Sequence, residues 1–164
     1  MGLDFSLYWF QKSQGPAKEQ FLKWDYNTFN LHELAYARKG WELVYALECD
    51  TQNDCFTQLT LDNWVNLMEK MAPIGPYLDE IFDAYHTFEN AEEYETLADF
   101  EKAYPRKALL IKTYENWFDQ SFDEYPQLGY DFSVGYMNSF WAAADEVIKY
   151  LEDPDYEVWM CADY

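Results

Sequence analysis

Thirty-one carboxylates against eleven bases, a formal net charge of −20 over 164 residues, restrict this chain to folds that keep most acids in solvent and draw cohesion from other side chains. The charge is regional. Residues 1–39 carry five bases and four acids, a net of +1, whereas six bases face 27 acids from residue 40 onward, a net of −21. Small soluble domains sit at a magnitude of about 2–8, so solubility alone does not call for this excess. The opposing force has to come from burial. Seven Trp, 15 Tyr and 12 Phe, with 49% hydrophobic residues in all, are far more apolar material than an acidic disordered tail carries. A chain of this length closes one core, and residues 1–164 read as a single acidic domain.

Two segments alternate with period 2. Leu3, Phe5, Leu7 and Trp9 fall on one side of a strand over Leu3–Phe10, with Asp4, Ser6 and Tyr8 on the other, and Tyr156–Cys161 repeats the pattern. The two are expected to pair beneath helices. Gln14-Gly15-Pro16 ends the first strand. Asn30 followed three positions later by Glu33 has the form of a capping box and predicts a helix over Leu31–Glu48, with Leu34, Trp41, Val44 and Leu47 inward. Asp50–Asp54 reads as a loop.

Thr60 caps a helix with Trp64, Leu67, Met68 and Met71 on one face, and Pro73-Ile74-Gly75-Pro76 ends it. Pro76 opens a third helix with Leu78, Ile81, Phe82 and Tyr85 inward. Short turns follow near Ala91–Tyr94 and Leu97–Tyr104. Pro105 starts a helix with Leu109, Leu110, Tyr114, Trp117 and Phe118 as core, and a last helix covers Val134–Leu151. The fold class is therefore α+β, mostly helical, with a small antiparallel sheet formed by the N- and C-terminal strands.

Chemistry-bearing motifs are sparse. No Gly-rich phosphate loop, nucleophile elbow or His-Glu-x-x-His occurs. Asp79, Asp83 and His86 share a predicted helix face, but in a chain with 31 acids that spacing arises easily, and no second carboxylate-x-x-His motif completes a two-metal site. Cys49, Cys55 and Cys161 lack zinc or redox spacing. The expectation is no enzyme, no metal and no cofactor. No charged n-region precedes an apolar stretch at the start, and no run reaches the roughly 18 apolar residues of a membrane span, which points to the cytoplasm and to no membrane contact.

The acids cluster where bases are missing. Asp79, Glu80, Asp83, Glu89, Glu92, Glu93, Glu95, Asp99 and Glu101 lie between Lys70 and Lys102, and Glu115, Asp119, Asp123 and Glu124 lie beyond Lys112. Asp79 with Asp83, and Glu115 with Asp119, sit a helical turn apart and repel with no nearby cation in sequence. Carboxylates at that spacing approximate a phosphate row, which on B-DNA advances about 3.4 Å per phosphate along each strand. These 13 residues form the predicted partner-binding face, anchored by Tyr77, Phe88, Tyr94, Trp117, Phe122 and Tyr125. The partner is a basic, nucleic-acid-binding protein; nucleic acid itself is disfavoured as a ligand.

The opening Met1-Gly2-Leu3-Asp4-Phe5-Ser6-Leu7-Tyr8, with Glu33-Leu34-Ala35-Tyr36-Ala37-Arg38-Lys39, resembles small uncharacterised phage and prophage proteins that begin Met-Gly-Leu-Asp and carry a Tyr-x-Arg-Lys helix, departing from them at Gly40-Trp41. In size and acidity the chain also resembles DNA-mimic anti-CRISPR and antirestriction inhibitors. That likeness implies a phage-encoded inhibitor whose acidic face blocks the Lys/Arg-lined groove of a CRISPR effector or restriction enzyme in the host bacterial cytoplasm. The alternative is an acidic adaptor or structural phage protein that binds a basic partner without competing with nucleic acid.

Overall fold

The computed structural model describes residues 2–15, 32–52, 56–122 and 129–163. In chain order its elements are β1 (Asp4–Gln11), β2 (His32–Arg38), α1 (Trp41–Ala46), β3 (Phe56–Gln58), α2 (Leu61–Met71), α3 (Leu78–Asn90), α4 (Leu97–Ala103), α5 (Pro105–Ser121), α6 (Tyr130–Ala142), α7 (Ala144–Glu152) and β4 (Tyr156–Asp163). The fold is α+β and mostly helical, with an antiparallel sheet of order β2-β1-β4-β3. The chain forms two compact units: Met1–Glu69 with Ser139–Tyr164, and Lys70–Asn138.

In the first unit, β1 and β4 pair antiparallel from Asp4↔Asp163 to Gln11↔Tyr156, as the two alternating segments predict. Leu3, Phe5 and Leu7 are buried, and so are Met160 and Ala162, which stand opposite Leu7 and Phe5. Cross-strand apolar pairs of this kind are the unit of sheet stabilisation. The other face keeps a smaller cluster, Phe10 with Tyr8, Phe56 and Trp159. Trp9 is only half-buried and stacks on His32 at 3.8 Å and on Tyr150 at 4.8 Å. The strand ends at Gln11, and after one 3₁₀ turn Gly15 adopts φ 97°, a left-handed conformation suited to glycine.

The predicted helix over Leu31–Glu48 is wrong in its first half. His32–Arg38 is strand β2, paired with β1, and only Trp41–Ala46 is helical. Ala35 and Ala37 point inward and are buried, while Glu33, Tyr36 and Arg38 are exposed, so the segment has a period-2 pattern disguised by helix-forming residues. The ladder skips Leu34 between Leu7↔Ala35 and Tyr8↔Glu33, a β-bulge that also hides the alternation. Lys39 (φ 59°) turns the chain, and Gly40 precedes α1 as its N-cap residue. Asn30, the proposed cap, lies outside the described residues, as do Pro16 and Cys55.

Thr60 caps α2 as predicted, its Oγ1 accepting the Asn63 backbone N–H at 3.2 Å. Trp64 is fully buried, donates its indole N–H to the Ala144 carbonyl at 3.3 Å and lies 6.1 Å from the Phe140 ring, which stacks on Phe5 at 5.7 Å. The predicted last helix is two helices, α6 and α7, separated at Ala143.

In the second unit, α3 and α4 both pack on α5. Leu78, Ile81 and Tyr85 on α3, and Tyr114, Trp117 and Phe118 on α5, are buried as predicted. Phe82 and Leu109 are not; they are 54% and 64% exposed, because the fully buried Ala84 and Ala108 occupy the inward positions of their helices. Phe100 gathers Phe88 at 5.0 Å, Tyr104 at 4.9 Å and Tyr94 at 5.9 Å. Trp117 donates its indole N–H to the Lys70 carbonyl at 2.8 Å. Buried Tyr114 and Ser133 hydrogen-bond through their hydroxyls; Ser133 donates to the Tyr130 carbonyl at 2.7 Å, so Tyr114 is the donor of the pair.

Candidate functional site

Residues 70–138 hold fourteen acids and five bases, and this second unit contains every residue of the predicted partner-binding face. Asp79 and Glu80 stand in the first turn of α3, where carboxylates complement the helix dipole. The next helical residues toward them come from the start of α5. Arg106 Nη2 lies 2.8 Å from Glu80 Oε2, and Lys107 Nζ lies 3.0 Å from Asp83 Oδ2 and 2.8 Å from Thr87 Oγ1. Asp79 accepts the Asn138 amide at 2.8 Å. Asp79, Glu80, Asp83, Arg106, Lys107 and Leu110 line a depression of about 350 Å³ whose charge is mixed.

The expectation of α3 carboxylates without a compensating cation is thus corrected. Their cations are 24 and 26 residues away in sequence and are supplied by helix packing. On α4, Asp99 pairs with Lys102 at 3.4 Å and Glu101 with Lys112 at 2.5 Å. Thr96 caps that helix, accepting the Asp99 N–H at 3.2 Å. The four pairs are mainly exposed, so each contributes about 0–1 kcal/mol and serves chiefly to cancel charge.

What remains uncompensated is narrower. Glu92, Glu93 and Glu95 lie exposed on the turn between α3 and α4, and among the described residues none has an ion-pair partner. The turn is held by the Tyr94 N–H on the Ala91 carbonyl at 3.1 Å and by the Tyr94 ring against Phe100 and Tyr104. A fixed backbone therefore presents three like charges together.

A second acidic group is internally bonded. Glu115 accepts the Tyr85 hydroxyl at 3.0 Å, and Asp119 accepts that of Tyr130 at 2.7 Å. Glu89 shares a hydrogen bond with Asp131. That bond is the main reason the Glu89 carboxyl is held above its ordinary range, with burial and the Asp131 charge adding to it and His86 opposing. Burial pushes Glu115 upward too, with Asp119 and Asp131 reinforcing and the Tyr85 hydroxyl counteracting. Asp123, Glu124 and Tyr125 lie outside the described residues.

Of the predicted aromatic anchors, Tyr77 is exposed, but Trp117 is buried and Phe122 packs on it at 5.6 Å. Phe88 belongs to the Phe100 cluster. The exposed aromatics of this unit also include Phe82, assigned to the core from sequence, and Phe132, to which no role was assigned. An aromatic directly beside acids on a helix edge was the available signal.

No known protein family, curated protein or solved structure matches this chain. Its geometry stands by itself. Among the described residues, no three His, Cys, Asp or Glu side chains converge to hold a metal ion; His86 instead meets the Asn90 amide at 3.3 Å. Among those residues also, no helix is long and apolar enough to cross a membrane.

The raised carboxyls have a measurable consequence. Glu89 and Glu115 bind protons more tightly folded than unfolded, so their stabilisation is complete below the ordinary glutamate value of about 4.3 and is lost as pH rises through their raised folded values. The thermal midpoint is expected to be higher at pH 5 than at pH 8, and the double substitution Glu89→Gln and Glu115→Gln narrows the difference. A midpoint that falls on acidification over this interval contradicts the assignment.

Proposed function

We propose that this chain is an inhibitory binding protein, phage-encoded and of the anti-CRISPR or antirestriction type, which mimics nucleic acid to block a Lys/Arg-lined groove of a host defence protein. It acts in the host cytoplasm by occupancy and not by turnover. The carrying observation is the local concentration of uncompensated charge at Glu92, Glu93 and Glu95 within a unit that holds fourteen acids and five bases. Such a surface repels phosphate and steers a cationic groove toward itself, releasing counterions on contact. A groove that reads duplex DNA through Arg and Lys offers the matching field.

The experiment is an affinity capture from bacterial lysate with and without nuclease, followed by salt titration and competition with duplex DNA. The expected partner survives nuclease, is released as salt rises from 0.05 to about 0.5 M through screening, and is displaced by the duplex. Affinity that is indifferent to both salt and DNA defeats the proposal. The internal ion pairs on α3 and α5 favour, as a second reading, an adaptor that uses only part of the acidic surface. A ternary complex of chain, partner and DNA supports that reading over mimicry.

A further inference from the structure

Helices α3 and α6 flank a groove of about 270 Å³ in the second unit, lined by Phe82, Tyr85, His86, Glu89, Asp131, Phe132 and Gly135. Its volume lies below the roughly 300–1,000 Å³ of sites that enclose a whole small molecule, and suits one inserted side chain. Phe82 and Phe132 stand 54% and 43% exposed at this groove, two large apolar rings left in contact with water. A methyl group built on Gly135 meets nothing within 4 Å, so the space beside the helix backbone is open. At the acidic end, Glu89 and Asp131 hold each other by a hydrogen bond.

We infer that this groove receives an arginine side chain presented by a basic partner protein, with Phe82 and Phe132 against the guanidinium faces and Glu89 and Asp131 at its N–H edge. Guanidinium is the cation that fits both parts of the groove. It is planar, weakly hydrated, stacks on aromatic faces and presents parallel N–H donors to carboxylates, whereas an ammonium is a strongly hydrated point charge. Aromatic rings beside complementary charge are also the composition of interface hot spots. The inference rests on the proposed function for the basic character of the partner, but not for competition with nucleic acid.

Other charges facing the pair set its pH response. His86 projects from α3 beside Glu89, and Glu115 on α5 interacts with Asp131. An incoming guanidinium favours the ionised Glu89 carboxylate, whose proton is held above the ordinary glutamate range, so binding weakens as pH falls.

The test is a ¹H–¹⁵N NMR titration of the full chain with three blocked tripeptides, acetyl-Gly-X-Gly-amide, where X is arginine, lysine or citrulline. Arginine is expected to shift resonances within 82–89 and 131–135, to bind about three- to fivefold more tightly than lysine through stacking, and to bind less tightly at pH 5 than at pH 7.5. Citrulline, which keeps the shape without the charge, shifts nothing. Phe82→Ala with Phe132→Ala removes the preference for arginine over lysine while leaving the thermal midpoint in place, since both rings are exposed. Shifts elsewhere on the chain, equal affinity for lysine, or self-association of the free chain that the double variant abolishes would each overturn the inference. Captured partner that remains DNA-competitive in the double variant, with no arginine response, rejects the groove and leaves the proposed function standing; an arginine response with no DNA-competitive partner does the reverse.

Discussion

Converting Glu92, Glu93 and Glu95 together to lysine is expected to weaken binding to the proposed nucleic-acid-competitive partner by about a hundredfold at low salt. Each exposed ion pair contributes about 0.2–1 kcal/mol, and reversal replaces the attraction with a repulsion of similar size. Three such reversals therefore sum to about 3 kcal/mol, and every 1.4 kcal/mol is about tenfold in affinity. The size of the effect depends on the turn holding all three charges in one place, which the Tyr94 packing provides. Folding does not suffer, because these residues are exposed and lack intramolecular cations among the described residues. Raising salt toward 0.5 M should shrink the difference between parent and variant, since it acts through screened charge. Reversal of Glu19 and Asp25, from the nearly neutral first 39 residues, is the comparison. If that pair weakens the partner as strongly as the triple variant, the binding surface is not the α3–α4 turn that we propose.

Trp64→Ala is expected to be the most damaging single truncation, at about 3–5 kcal/mol. The indole is fully buried, packs near Phe140 and donates to the Ala144 carbonyl, so alanine leaves both a cavity and an unmet acceptor. Domains are stable by only about 5–15 kcal/mol, and a net charge of −20 works against compactness, so the loss removes much of the margin. Urea denaturation checks it. Trp64→Phe separates the contributions: it keeps most of the packing and should cost about 1 kcal/mol for the missing hydrogen bond. An alanine variant within 1 kcal/mol of the parent would mean that the Trp64 packing is not what holds α2.

The elements legible from sequence were those whose burial pattern is carried by large residues. Leu3, Phe5 and Leu7 declared β1, and Trp64, Leu67 and Met71 declared α2, because a two-fold or 3.6-fold period is unmistakable when bulky apolar side chains mark it. Alanine marked the positions that were misread. Ala35 and Ala37 are the inward residues of β2, yet alanine is the strongest helix former and weakly apolar, so His32–Arg38 read as helix until pairing with β1 is considered. Ala84 and Ala108 similarly occupy the inward positions of helices that pack on each other, and Phe82 and Leu109 were assigned their places. Propensity differences of tenths of a kcal/mol per residue are outweighed by the ladder and packing contacts that neighbouring elements supply.

The acidic face was legible as composition but not as electrostatics. Glu80 and Asp83 lie within a stretch empty of bases, and only the packing of α5 on α3 brings Arg106 and Lys107 to them. Among the described residues, Glu92, Glu93 and Glu95 have no such partner. Whether an acid is neutralised is a long-range property, and spacing along one helix does not contain it. The Glu89 and Asp131 pair, 42 positions apart, was unreadable for the same reason.

The order of strands bears on how the chain is made. β1 is the central partner of β4, yet the two are separated by residues 12–155, and the second unit lies wholly within that interval. At synthesis rates of about 5–20 residues per second, β1 waits on the order of 10 seconds for the strand that completes its hydrogen bonding. The helices of residues 70–138, whose contacts are more local, have their sequence complete well before then. A nascent chain interrupted before Tyr156 would therefore carry the acidic unit entire beside a strand with an open edge, and the charge that characterises this protein would be what keeps that intermediate from joining its neighbours on a polysome.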